Sequence, residues 1–124
     1  MKTSSFFVAG RLPGAVSIAR SAPAWFGGPK YEALAPPWHL IEGFKAGRIT
    51  WEKYVEFYRD AVLADLDAAL VWDELHYLVA EEPVLCCWCR VVIPNAVECH
   101  RHVVAAWLED RLPGVVVPEL EAVP

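Results

Sequence analysis

The chain contains no glutamine, one asparagine (Asn95) and one methionine among 124 residues. A shortage of thermolabile side chains is a mark of thermophilic proteins, although biased genome composition leaves the same trace. A basic excess is also missing. Eleven Lys and Arg stand against sixteen Asp and Glu, a formal net charge of −5. Proteins that coat nucleic acid neutralise phosphates with surplus cations, so broad nucleic-acid binding is excluded. A local basic pocket for one phosphate is not. No apolar run approaches the roughly 20 residues needed to span a bilayer. The opening "MKTSSFFVAGRLPG" holds only a short apolar "FFVAG" before Pro-Gly, too little for a secretory signal. The expectation is a cytoplasmic protein without membrane contact. In that compartment cysteines serve as metal ligands, catalytic groups or buried core more often than as disulfides.

Hydrophobic residues make up 56% of the chain, with six Trp, four Tyr and five Phe. That is enough apolar material for a core in one domain of 1–124 without covalent staples. Thr3–Ala9 reads as a first strand and Ala15–Arg20 as a second, with "RLPG" turning between them. Pro23–Pro37 carries four prolines and the pair Gly27-Gly28, a long punctuated loop of the kind that often bears function. Helices are predicted from Trp38 to Gly47, over Trp51–Ala64 with Thr50 as N-cap, and over Ala68–Ala80 with Asp67 as N-cap. "VLCC", Val84–Cys87, is a continuous apolar run after a helix, as a central parallel strand reads. A loop over Arg90–Val97, a helix over Cys99–Leu112 and a last strand at Val115–Val117 complete the pattern. "RLPG" recurs at Arg111–Gly114, which is shared turn chemistry, not a repeat. Helices between strands argue for an α/β layer fold with a mainly parallel sheet. Ligands in such sheets sit at the carboxyl ends of the strands, so the loops after Arg20 and Cys87 are expected to face one pocket.

The chemistry concentrates in "CCWCRVVIPNAVECHRH", Cys86–His102, which holds all four cysteines. As a metal site, Cys86-x2-Cys89 and Cys99-x2-His102 form two short-spaced pairs, with His100 as a substitute ligand; thiolate and imidazole suit tetrahedral zinc. Only one of Cys86 and Cys87 can face the loop if both lie on a buried strand, and burial in the core is the plain reading for both. As a reactive site, Cys99 stands at a helix start, where free N–H groups and the dipole favour an anion and lower a thiol pKa. His100 and Arg101 beside it supply an acid/base and an anion clamp. Arg20, after a strand end, could clamp an anion opposite Arg101, and Ser4, Ser5 and Ser17 could donate into the pocket. Trp25 and Phe26 read as loop anchors with base stacking as the alternative. Tyr54 and Tyr58 read as core, and His39 and His76 as structural or surface residues.

Ordered along nearly the whole chain, "SIAR" (Ser17–Arg20), "LAP" (Leu34–Pro36), "WEKYVEFYR" (Trp51–Arg59), "VLCCW" (Val84–Trp88) and "CHR" (Cys99–Arg101) resemble the domain-of-unknown-function family 488. The family pattern has an N-terminal strand with small hydroxyl residues, here "TSSFF", and a "LLCyE" strand before "CHR". The resemblance implies a three-layer α/β/α fold and no settled reaction. Two departures stand out. The glutamate after the "LLC" strand is missing, with Trp88 or Cys89 in its place, and the longer loop to "CHR" adds Cys89 and His102.

Three readings follow. The first is an enzyme, or former enzyme, that binds or processes a nucleotide or other phosphorylated small ligand. Its catalytic residues are Cys99, His100 and Arg101, and its ligand-binding residues Arg20, Ser17 and Cys87. The second is a noncatalytic interaction or ligand-sequestering module whose C-terminal loop is stapled by zinc through Cys86, Cys89, Cys99 and His102. In the third, the cysteines are core and the protein acts through its surface as a homo-oligomer.

Overall fold

The computed structural model describes residues 1–89 and 99–121. The predicted loop Arg90–Val97, with Asn95, lies outside the described residues. Three strands form one parallel sheet in the order β1-β3-β2: β1 is Lys2–Ser5, β2 is Ala15–Ser17 and β3 is Val84–Cys87. All four residues of β3 are buried, which is why it reads as an unbroken apolar run and sits in the middle. Thr3 and Val16 pair with Leu85, Ser4 and Ser17 with Cys86, and Ser5 with Cys87.

Strand alternation then divides the core. Val16, Ile18 and Leu85 belong to the large cluster with Tyr58, Leu75, Trp107 and Leu108. Ala15, Val84 and Cys86 face a smaller cluster around Phe6 and Ala9. The predicted helices form as α2 (Trp38–Lys45), α3 (Trp51–Ala61), α4 (Ala68–Leu78) and α5 (His100–Arg111). Thr50 Oγ1 accepts the Lys53 N–H, and Asp67 Oδ1 accepts those of Ala69 and Leu70, the caps their sequence positions imply. No helix among the described residues is long and apolar enough to cross a membrane.

The predicted strand Ala15–Arg20 ends at Ser17, and two others differ more. Thr3–Ala9 stays extended only to Ser5, and Phe6–Ala9 coils into the single helical turn α1. Beyond the Ser5–Cys87 pair the central strand stops, so a longer β1 would leave its backbone groups without partners. Coiling lets the Phe6 carbonyl accept the Gly10 N–H and sets the Phe6 ring 5.2 Å from Phe26 and 5.4 Å from Trp88. Val115–Val117 is not a strand either. Pairing comes two residues after it, where Thr3 donates to the Pro118 carbonyl and accepts from the Leu120 N–H, a single parallel bridge at Glu119.

The two "RLPG" turns need glycine for different reasons. A Cβ on Gly14 would collide with the Glu82 carbonyl, which lies against it, whereas Gly114 has φ +79° and so takes a backbone that side chains disfavour.

Tyr58 carries the join between α3 and the proline-rich loop. It is fully buried, and its hydroxyl donates to the Leu34 carbonyl at 2.6 Å. Tyr58→Phe leaves that carbonyl unpaired in the interior and is expected to destabilise the protein by about 2 kcal/mol. Urea unfolding of the two proteins reads the difference, and an unchanged midpoint would refute the role given to this bond.

Candidate functional site

The carboxyl end of the sheet opens into a cavity of about 560 Å³. Trp38, Phe44, Trp51 and Tyr54, from α2 and α3, form its aromatic wall. Trp51 and Tyr54 are three residues apart on α3, hence neighbours on one face; their rings stack at 5.0 Å with planes 17° apart. Arg20 and Lys45 bring two cations to the lining. Cys87, Cys89, Cys99 and His100 complete it from the end of β3 and the start of α5.

Arg101 lies behind this lining. It is 1% exposed, and each of its three guanidinium nitrogens is engaged. Nε and Nη2 donate to the two carboxylate oxygens of Glu119 at 3.0 and 2.8 Å. Nη1 donates to Cys87 Sγ at 3.0 Å, to the Cys89 carbonyl at 2.8 Å and towards Cys99 Sγ at 3.5 Å. A buried cation is tolerated only when paired and hydrogen-bonded throughout, and this fork-on-fork geometry meets that condition. Glu119 also accepts from Thr3 Oγ1 at 2.6 Å. The sequence predicts an anion clamp at Arg101. Its donors are taken up by Glu119 and the cysteine segment, so it holds the thiols rather than facing the cavity.

The sulfurs of Cys87 and Cys99 meet as those of a disulfide would, while their Cα atoms stand 7.9 Å apart. Disulfides hold Cα atoms about 4.4 to 6.8 Å apart, so the backbone here is set wider than a disulfide prefers. Cys89 Sγ joins them, the three sulfurs lying within 4.8 Å of one another. The sequence spacing puts Cys86 in the metal set, but alternation along β3 turns it to the opposite face, where it is fully buried and its Sγ sits 3.5 Å from the Val84 carbonyl. Burial pushes its pKa up to about 12. Cys87 occupies the place Cys86 was given. The Cys89 thiol is exposed at the cavity, yet the surrounding protein raises its pKa, with the charges of Arg101 and Lys45 pulling it back. His102 does not belong to the three-sulfur group.

His100 is buried, and its Nε2 lies 2.8 Å from the Ile18 carbonyl. A carbonyl can only accept, so Nε2 carries the proton and Nδ1 the lone pair. Burial lowers its pKa from 6.5 to about 4, helped by the charges of Arg101 and His102 and opposed by the Ile18 bond. It is therefore a neutral base at pH 7. Arg20 donates from Nε to the Pro36 carbonyl and from Nη2 to the Ala35 carbonyl, pinning the "LAP" segment while lining the cavity. Ser17 does not reach the cavity. Its Oγ accepts the Ala19 N–H at 3.3 Å, and it pairs with Cys86 on the far face. Ser4 and Ser5 are buried, with no partner for their hydroxyls among the described residues. Trp25 lies under Arg11 at 3.9 Å and Phe26 packs on Phe6, so both are loop anchors. Sequence reasoning missed Lys45, the aromatic wall and Glu119. The wall was legible only as a helical apolar stripe, and neither Lys45 nor Glu119 carries a motif.

The family model DUF488-N3a, described as the active DUF488-N3 subclade, matches residues 11–112. No protein of curated function and no solved structure matches the chain.

Glu119→Gln leaves the Arg101 charge buried without its counter-ion and is expected to cost about 3 kcal/mol in urea unfolding. Pairing it with Arg101→Met should cost clearly less than the two single changes summed; strict additivity would show that the pair is not coupled. His100 adds a pH dependence. Its folded pKa lies below its unfolded value, so the unfolded chain binds the proton more readily, and stability falls as pH drops from 6.5 towards 4. Between pH 7 and pH 5 the loss is about 2 kcal/mol. His102, lowered in the same direction, adds to that slope. His100→Gln should flatten the profile, and an unaltered slope would contradict the assignment.

Proposed function

The chain belongs to the DUF488-N3a family, and from that premise we propose that it binds and processes a nucleotide or similar phosphorylated small ligand in the strand-end cavity. The observation that carries this reading is the pairing of an aromatic wall with two cations in one cavity, Trp51 and Tyr54 on one side and Arg20 and Lys45 among the other lining residues. Aromatic faces stack a planar base whatever its identity. Guanidinium and ammonium groups meet a phosphate with charge-assisted bonds. A net charge of −5 agrees with a single anion held by local cations and disagrees with a polynucleotide track.

The groups placed for chemistry are His100, neutral with Nδ1 as its basic nitrogen, and Cys99, the N-cap of α5, where the helix dipole favours a thiolate. Arg101 is a positioning residue that orients the cysteines. The description of the matched subclade as active accords with a site that does more than bind. A cluster of three thiols works in a reducing compartment, which makes the cytoplasm its proposed location. A second reading, a noncatalytic module with a metal-stapled loop, is favoured by the convergence of those three sulfurs.

Tryptophan fluorescence titrated with a nucleoside monophosphate and with the matching nucleoside tests the first reading. The monophosphate is expected to bind more tightly. Arg20→Ala and Lys45→Ala should each weaken it about tenfold, the worth of one charge-assisted bond, and leave the nucleoside unaffected. Lys53→Ala, on an exposed pair with Glu56, should change nothing. Equal binding of both compounds by all four proteins would refute the reading.

A further inference from the structure

We infer that Cys87, Cys89 and Cys99 form an open three-thiolate centre for a soft divalent metal, zinc by preference, with its fourth position facing the cavity. The three sulfurs lie within 4.8 Å of one another. A tetrahedral zinc ion with bonds of about 2.3 Å spaces its sulfurs about 3.8 Å apart; that is inside the envelope, and the Cys87 and Cys99 sulfurs, 2.50 Å apart without the ion, separate to admit it. Cα atoms 7.9 Å apart at Cys87 and Cys99 are wider than a disulfide prefers, and a shared metal asks for no such approach. All three cysteines line the cavity, so a bound ion is accessible from it.

Arg101 supports the centre from behind. Its Nη1 donates to two of the three sulfurs and to the Cys89 carbonyl. Hydrogen bonds of this kind orient thiolates and disperse their charge. The double positive charge of one zinc ion against three thiolates leaves one negative charge beside the Arg101–Glu119 pair, which is itself neutral.

The donor set also separates this centre from a closed staple. Among the described residues it holds three ligands, the number that leaves a coordination position for water or substrate. Four protein ligands would close it. The residues differ accordingly from the predicted staple: Cys86 is turned away and His102 is outside the group. The inference shares its cavity with the nucleotide reading but stands on the sulfurs alone. If nucleotide binding fails and metal is present, only that reading falls; if metal fails and nucleotide binds, only this inference falls.

The test uses the full chain purified under reducing conditions without added chelator. Elemental analysis is expected to give about one zinc per chain. Replacement by Co²⁺ should produce the intense visible bands of a tetrahedral thiolate site. Cys89→Ser, at an exposed position, should keep the circular dichroism of the folded protein and lose most of the metal and the cobalt bands. Cys86→Ala should keep both. Reduced protein that takes up neither zinc nor cobalt would overturn the inference, as would metal retained in full by Cys89→Ser. Alkylation and mass analysis showing a Cys87–Cys99 disulfide that, once reduced, still binds no cobalt would overturn it in favour of a redox pair.

Discussion

Arg101 is a full positive charge with almost no access to water, and the site is arranged around that fact. A buried charge must be met by partners. One edge of the fork meets Glu119, from the C-terminal segment. The remaining nitrogen meets the end of β3 and the start of α5 through Cys87, Cys89 and Cys99. Three parts of the chain, from Cys87 to Glu119, are thereby held at one point. The sulfurs of Cys87 and Cys99 and the Cys89 carbonyl converge on that one nitrogen.

Glu119 lies beyond the residues that match the family, and no motif marks it. The family pattern carries a glutamate after the cysteine-bearing strand, where this chain has Trp88 or Cys89. A carboxylate is nonetheless present against Arg101, brought by a segment that docks beside Thr3 through two backbone bonds. The Thr3 hydroxyl adds a third bond to the carboxylate itself. The hydroxyl-rich first strand so acquires a definite use at Thr3, while Ser17 looks to the other face of the sheet.

Much of the fold was legible because it rests on local rules. The Thr50 and Asp67 caps and the unbroken "VLCC" run each follow from a few neighbouring residues, and each is found in the structure. The two misplaced strands followed the same local signals and failed for a nonlocal reason. β1 ends at Ser5 because β3 supplies no further partner, and pairing at the C-terminus falls on Glu119 because that is the residue beside Thr3. A strand is defined by its neighbour, and sequence does not display the neighbour.

The candidate site divides along the same line. The sequence by itself determined the chemical inventory: four cysteines within fourteen positions, a histidine and an arginine after the last of them, and a family pattern in which "CHR" follows a buried strand. It also showed that only one of Cys86 and Cys87 could face the site. The tertiary structure decided which one, through the parity of β3 against Leu85. It decided that Arg101 serves the protein interior and Lys45 the cavity, and that a tail glutamate supplies the counter-charge. The physical reason is that charge pairing and pocket lining depend on distances across the chain, and those are settled by packing after every local preference has been met.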